Sequence, residues 1–248
     1  MVAPSKFIVT GAAQGIGRAV ALRVAAAGAH VAVWDTQADG AEETARLCRE
    51  RGALSRAWRV DVGAANEVEA AVAAFEREWG APEGLVNNAA IFPRARALDM
   101  QLSEWERVLR VNLTGSFLCA RAVARLMKDA SGGVIVNMAS GRALAGAARG
   151  AHYSVTKGGI IALTKSLALD WAPYGIRVNC VIPGVTDTAQ PRGELSDDEL
   201  YALGSRVPLG RIGQPQDIAA AVAFLLGDDS AYMTGQSIAV NGGAIMIP

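Results

Sequence analysis

The sequence predicts an α/β protein: a doubly wound parallel sheet of about seven strands with helices on both faces. Seven short apolar runs alternate with helix-length segments along the chain, and such alternation implies parallel strands joined by helical crossovers. Runs such as FIVT and VIV are apolar at consecutive positions, as strands covered on both faces are. A glycine-rich turn, TGAAQGIG, joins the first run to the first helix.

The first strand is KFIVT, 6–10, and the helix after the turn covers 15–28. HVAVWD, 30–35, is the second strand, followed by a helix over 38–51 with apolar residues at three- and four-residue spacing. SRAWRVD, 55–61, leads to a helix at 64–79, and EGLVNN, 83–88, to one long helical segment at 99–128. GVIVNMAS, 133–140, precedes a helix over 152–172, then IRVNCVIPG, 176–184, a helix at 215–226 and a last strand, QSIAVNGG, 236–243. The one compositional break, 186–216, is polar and rich in Pro and Gly. It reads as a loop with one or two short helices, placed to act as a lid on a single domain spanning 1–248.

The 248 residues are 51% hydrophobic and 19% charged, ordinary values for a folded chain. Lys+Arg and Asp+Glu balance at 24 each, so no net field draws the protein to nucleic acid or an anionic membrane. Cys48, Cys119 and Cys180 are widely spaced and odd in number, which fits free thiols in a reducing compartment and neither a disulfide framework nor a metal site. MVAPSKFIVTGAAQGIG reaches glycine before a long apolar run can build up, so neither a signal peptide nor a membrane span is expected there and a cytoplasmic protein is.

Gly11, Gly15 and Gly17 sit where the first strand turns into the first helix. They leave room for a pyrophosphate to approach backbone N–H groups at the positive end of that helix. Asp35 ends the second strand 18 residues beyond Gly17, close to the spacing at which a carboxylate meets the adenosine ribose. It would accept hydrogen bonds from the ribose hydroxyls and repel a 2′-phosphate. NAD is therefore expected in preference to NADP, and the uncharged Gln14 and Thr36 agree, whereas Arg18 at the helix start points the other way.

Tyr153 and Lys157 stand four residues apart and share one face of a helix. A phenol titrates near 10, and an adjacent desolvated ammonium with a cationic nicotinamide could lower that by about 2 to 3 units toward a useful acid/base value. The spacing alone is equally that of a tyrosine ring packed on a lysine stem. Ser140, at the carboxyl end of the fifth strand and 13 residues before Tyr153, tips the reading toward chemistry, because ligands in open α/β sheets bind at those strand ends.

Together these residues resemble the short-chain dehydrogenases/reductases over nearly the whole chain. TGAAQGIG, with Gly11, Gln14, Gly15, Ile16 and Gly17, resembles the family's T-G-x-x-x-G-x-G cofactor motif. Asp61 in VDV, beside Val62, resembles its adenine-contacting aspartate, and NNAA at 87–90, with Asn88 and Ala89, its N-N-A-G motif, with Ala90 where glycine is usual. Ser140, Tyr153 and Lys157 match its S…Y-x-x-x-K set, and Asn112 in RVNLTG its structural and proton-relay asparagine. PGVTDT, with Pro183, Gly184, Val185 and Thr188, is similar to its segment beside the nicotinamide, and TGQSIAVNGG to its last strand.

The resemblance implies a Rossmann sheet and an NAD-dependent oxidoreductase acting on CH–OH groups, with hydride transfer between the nicotinamide and a secondary alcohol or ketone, polyols and sugars included. Tyr153 would exchange the substrate proton, Lys157 hold the ribose and lower the tyrosine pKa, Ser140 bind the substrate oxygen, and Asn112 hold a water linking the lysine to solvent. It also implies a homotetramer through the apolar faces of 99–128 and 152–172. Ile91 to Arg94, Gly141, Arg142 and 185–191 are candidate pocket walls; Arg94 and Arg142 would hold a carboxylate, phosphate or sugar hydroxyl, or else are surface cations. His152 reads as a capping or surface residue or a substrate contact. Two rival functions are an NADPH-dependent 3-oxoacyl-thioester (acyl carrier protein) reductase, against which Asp35 and Gln14 argue, and a non-catalytic dinucleotide-binding regulator.

Overall fold

The computed structural model describes residues 5–130, 132–193 and 195–246. Seven parallel strands form one sheet in the order β3-β2-β1-β4-β5-β6-β7. They are β1 (Lys6–Thr10), β2 (His30–Asp35), β3 (Ser55–Arg59), β4 (Gly84–Asn87), β5 (Gly133–Met138), β6 (Ile176–Pro183) and β7 (Ser237–Val240). The order reverses between β1 and β4, which opens a crevice at the carboxyl ends of those strands.

One face carries α1 (Gly15–Ala26), α2 (Ala38–Arg49) and α10 (Pro215–Leu226), packed on inward side chains such as Val9, Val33 and Val136. The other carries α3 (Ala65–Trp79), α5 (Gly115–Asp129) and α7 (Ala151–Trp171), packed on Ile8, Leu85, Ile135 and Val178. Strand residues therefore alternate between two apolar layers, the pattern expected of consecutive apolar runs. Trp58 and Phe75 pack edge-on against Trp79.

The segment expected as one helix over 99–128 is not continuous. α4 begins at Leu102 and ends at Leu109, and Arg110–Thr114 widen into a π turn before α5. The widening carries Asn112, whose amide is bonded on both sides to the backbone of Ile91. A π turn inside a helix is a local cost, and it is commonly found where a side chain is put to use.

The polar stretch 186–216 holds α8 (Ala189–Arg192) and α9 (Asp197–Ser205), the latter started by a reciprocal Ser196–Glu199 capping box. Glu194 lies outside the described residues. The remaining short helix, α6 (Arg142–Ala145), follows Ser140 directly. The three cysteines are buried and unpaired. Among the described residues no helix is long and apolar enough to cross a membrane, and no group of His, Cys, Asp and Glu could hold a metal ion.

Candidate active site

The carboxyl ends of β1, β2, β4, β5 and β6 open onto one cavity of about 740 Å³. Its floor is the turn after β1. Gly11 (φ +64°) and Gly15 (φ +57°) adopt left-handed backbone there, which glycine alone takes without strain. A Cβ on Gly11 would lie 2.6 Å from the Ala89 Cα, and one on Gly17 would lie 2.2 Å from the Gly11 carbonyl oxygen. Side chains are excluded so that the turn can close on β4. Asn88 fastens it there, donating from Nδ2 to the Thr10 and Gly11 carbonyls, while the Thr10 hydroxyl accepts the N–H groups of Asn88 and Ala89.

α1 starts at Gly15 with no side-chain cap and no acidic residue in its first turn. Its first N–H groups and the positive end of its dipole face the cavity uncompensated, which suits a bound phosphate. This uncapped start above a side-chain-free turn fits a dinucleotide pyrophosphate. Gly11, Gln14, Gly15 and Ile16 line the cavity; Gly17 does not, and serves the turn by its lack of a Cβ.

At one end of the cavity the Asp35 carboxylate accepts the N–H groups of Ala13 and Gln37, both at 2.9 Å. A carboxylate offers about four lone-pair sites, so two such bonds leave capacity for hydroxyls. Arg18 is turned out of this cavity: its guanidinium donates to Thr44 Oγ1 and to the carbonyls of Ala13 and Gly40. Asp61 and Val62 line the wall nearby, with Asp61 held by the Gly63 N–H and by Arg110 at 3.1 Å. Asn88 and Ala89 line the middle, and Pro183, Gly184, Val185 and Thr188 face them from the end of β6 and the segment after it.

Tyr153, Lys157 and Ser140 meet at the other end. The Lys157 ammonium is buried, donates to the Met138 carbonyl at 2.7 Å and lies 5.6 Å from the Tyr153 ring centroid. Burial pushes it down to about 8. Burial likewise holds the Tyr153 phenol above its ordinary value, opposed by a hydrogen bond with Ser140 and then by the positive charges of Arg142 and Arg94. In this structure, then, Ser140 and the two arginines draw the phenol down, and the Lys157 ammonium is engaged by the end of β5.

Asn112 is brought near these groups but not into the cavity. It is fully buried, accepts the Ile91 N–H at 2.8 Å, and donates to the Ile91 carbonyl at 2.9 Å and to Thr156 Oγ1 at 3.2 Å. Its amide is consumed in tying the end of β4 to α7, one residue from Lys157.

Several contacts have no signature in the sequence. Phe92 stacks on Tyr153 with centroids 3.9 Å apart and planes 13° apart, and the Arg94 guanidinium lies over the Phe92 ring, 4.1 Å from its centroid. Asn87 donates to Asn137 across the β4–β5 register, and Asn137 donates to Thr164 on α7, a buried polar ladder under the site. His152 is neither at the surface nor in the cavity. It is fully buried; Nδ1 accepts the Tyr153 N–H at 2.7 Å and Nε2 faces Glu104 Oε1 at 3.2 Å. With Nδ1 accepting, Nε2 carries the proton toward the carboxylate, and α7, whose Gly150 N-cap has no side chain, gains a cap from its own second residue. Replacing His152 with Ala is expected to lower the unfolding free energy by about 2 to 4 kcal/mol, because it removes a buried ring and leaves a half-buried carboxylate unpaired. Urea unfolding of the two proteins measures it, and a change under 0.5 kcal/mol (about the scatter for inert surface sites) would remove His152 from the supports of α7.

Residues 11–244 match a family model described as enoyl-(acyl carrier protein) reductase. The 2-(S)-hydroxypropyl-CoM dehydrogenase 3 of Xanthobacter autotrophicus is 38% identical over 96% of this chain and 96% of its own. The 3-oxoacyl-[acyl-carrier-protein] reductase FabG of Vibrio cholerae is 37% identical over 97% of each. A crystal structure from Sinorhizobium meliloti, described as a short-chain alcohol dehydrogenase, superposes with a TM-score of 0.93 at 34% identity, covering 98% of this chain and 96% of that one.

Proposed function

The chain belongs to the short-chain dehydrogenase/reductase family, and from that premise we propose that it is an NAD-dependent oxidoreductase acting on a secondary alcohol or ketone. One observation carries the reading: Tyr153, Lys157 and Ser140 line the same cavity as the uncapped start of α1 and Asp35. The turn at Gly11, Gln14, Gly15 and Ile16 would hold the pyrophosphate, Asp35 the adenosine ribose, Asp61 and Val62 the adenine, and Asn88, Ala89, Pro183, Gly184, Val185 and Thr188 the nicotinamide half. When bound, the dinucleotide gives or takes the hydride at the carbinol carbon.

The chain's own residues handle the proton. In oxidation Tyr153 Oη takes the hydroxyl proton of the alcohol; in reduction it returns one to the carbonyl oxygen. Ser140 Oγ holds that same oxygen, so that the charge developing on it has a donor already in place. Lys157 keeps a positive charge beside Tyr153 below its pKa of about 8, which favours the phenolate during transfer. Asn112 acts through others as a positioning residue, its amide fixing Ile91 and Thr156 on either side of the site. Residues 186–216 would close over the substrate as a lid on a single domain. The unpaired buried thiols support a cytoplasmic protein, and exposed Phe117, Val155 and Leu169 on α5 and α7 support pairing of these helices in a homotetramer.

The rival is an NADPH-dependent 3-oxoacyl-thioester reductase, the activity named for the Vibrio relative. Asp35 in the cavity wall and Arg18 turned away from it favour NAD. Turnover with NADH and NADPH tests the choice, and a preference for NADPH would overturn it. Asp35→Ala is expected to lower the NAD/NADP preference at least about tenfold, since hydrogen bonds to a carboxylate contribute roughly 1.5 to 3 kcal/mol each. An unchanged ratio would remove the ribose assignment.

A further inference from the structure

Tyr153 is the third residue of α7, inside the turn that frays first and whose N–H groups have no helical acceptor. What precedes it does little to hold it. Gly150 stands at the N-cap without a side chain, and Arg149 (φ +57°) adopts left-handed backbone that a residue with a side chain rarely takes. A first turn entered through strained backbone stays closed only where its surroundings hold it. The Tyr153 hydroxyl nevertheless has to remain beside Ser140, because a reacting group displaced by about 1 Å can lose about 10²-fold in rate.

Two contacts from the segment before α5 supply the hold. The Tyr153 N–H donates to His152 Nδ1 at 2.7 Å, and Nε2 of that fully buried ring lies 3.2 Å from Glu104 Oε1 on α4. One turn further on, Asn112 in the π turn donates to Thr156 Oγ1 at 3.2 Å. The first two turns of α7 are thus gripped from α4 and from the π turn. A neutral imidazole carries one proton, and a proton on Nδ1 would point at the Tyr153 N–H. The Glu104 carboxylate can only accept, so it keeps that proton on Nε2 and leaves Nδ1 free to accept. Without Glu104 the Nε2–H would be buried with no acceptor among the described residues. That cost is relieved by opening the turn to water.

We propose that Glu104 and His152 are positioning residues for the acid/base step: the carboxylate sets the imidazole tautomer, and the imidazole fixes the backbone of Tyr153 so that its hydroxyl keeps its place beside Ser140. This rests on the dehydrogenase reading above, in which Tyr153 moves the proton, and it adds two residues outside the cavity lining to that step.

The test compares two substitutions of similar volume in the full chain. Glu104→Gln keeps an oxygen that accepts the Nε2–H, whereas Glu104→Leu removes it; Tyr153→Phe is the control. Amide hydrogen exchange at Tyr153 and turnover with NAD across secondary alcohols and polyols, cyclohexanol and sorbitol among them, are read on each. Glu104→Leu is expected to speed exchange at the Tyr153 N–H and to lower kcat, each at least about fivefold, with KM and NADH affinity within about twofold. The solvent deuterium isotope effect on kcat should rise, since proton transfer becomes the slower step. Glu104→Gln is expected to restore most of both. Equal behaviour of the two variants, faster exchange with unchanged kcat, or a loss of kcat matched by an equal loss of NADH affinity overturns the proposal and leaves the dehydrogenase reading standing. Full turnover by Tyr153→Phe, or no turnover of any secondary alcohol or ketone by the wild type, overturns both.

Discussion

Tyr153→Phe is expected to reduce turnover by about 10²- to 10⁴-fold, the usual contribution of a positioned acid/base group, while leaving NADH binding and folding intact. The ring keeps its place on Phe92, because the 3.9 Å stack involves only carbon faces. What is lost is the hydroxyl that shares the cavity with Ser140. Since burial already holds that phenol above its ordinary value, removing it does not strip the fold of a charge. Stability should therefore change by less than about 1 kcal/mol. Steady-state rates, NADH titration and a melting curve on the same preparation check all three. Turnover within threefold (about 0.7 kcal/mol) of the wild type would end the acid/base assignment and reopen the possibility of a non-catalytic dinucleotide-binding protein.

Lys157→Met is expected to act in opposite directions on activity and stability. Lys157 is buried, and its ammonium has the Met138 carbonyl at 2.7 Å as its hydrogen-bond acceptor. Removing a preorganised charge beside Tyr153 should lower turnover by about 10²- to 10³-fold. Replacing a buried charge with an apolar side chain of similar volume should also stabilise the protein by about 1 to 2 kcal/mol at pH 7, net of the carbonyl left without its donor.

The gain should fade as pH rises. In the fold Lys157 titrates at about 8, against an ordinary 10.5. Below pH 8 both folded and unfolded states are protonated, and the folded state bears the whole cost of the buried ammonium. Between pH 8 and 10.5 the folded protein releases this proton before the unfolded chain does, so the unfolded state binds more protons and stability rises with pH. The wild type should thus recover up to about 3 kcal/mol relative to Lys157→Met over that window. Urea unfolding of both proteins at pH 7 and pH 10 measures the difference, and a gap independent of pH would mean that the ammonium is not buried as described. The sign of the stability change bears on function too, since a charge kept at a cost to folding is a charge placed for chemistry.

Much of this was legible along the chain because it is governed by local periodicity. Consecutive apolar residues in FIVT and VIV can be satisfied only by a strand covered on both faces, and every strand expected from such runs is present, shortened by up to four residues at its ends. The glycine turn could be read because left-handed backbone and close approach admit only glycine at Gly11 and Gly15. The meeting of Ser140 with Tyr153 could be read because β5 ends in the crevice where α7 begins. The interruption of 99–128 was not legible: a π turn conserves helical periodicity on either side, and the contact it carries, the bond between Asn112 and Ile91, spans 21 residues.

By itself, then, the sequence determined the order of elements, the parallel sheet, the dinucleotide turn and the identity of the groups that meet at its open edge, since each follows from neighbours in the chain or from a single crossover. Tertiary structure alone decided how those groups are held. It turned Arg18 away from Asp35, buried His152 against Glu104, engaged Lys157 with Met138, and laid Arg94 and Phe92 over Tyr153. All of these are contacts between side chains on different elements, or between a side chain and a backbone far from it in sequence. Their geometry depends on distances that no local pattern encodes, and burial, which sets the titration of Tyr153 and Lys157, exists only once the layers have closed.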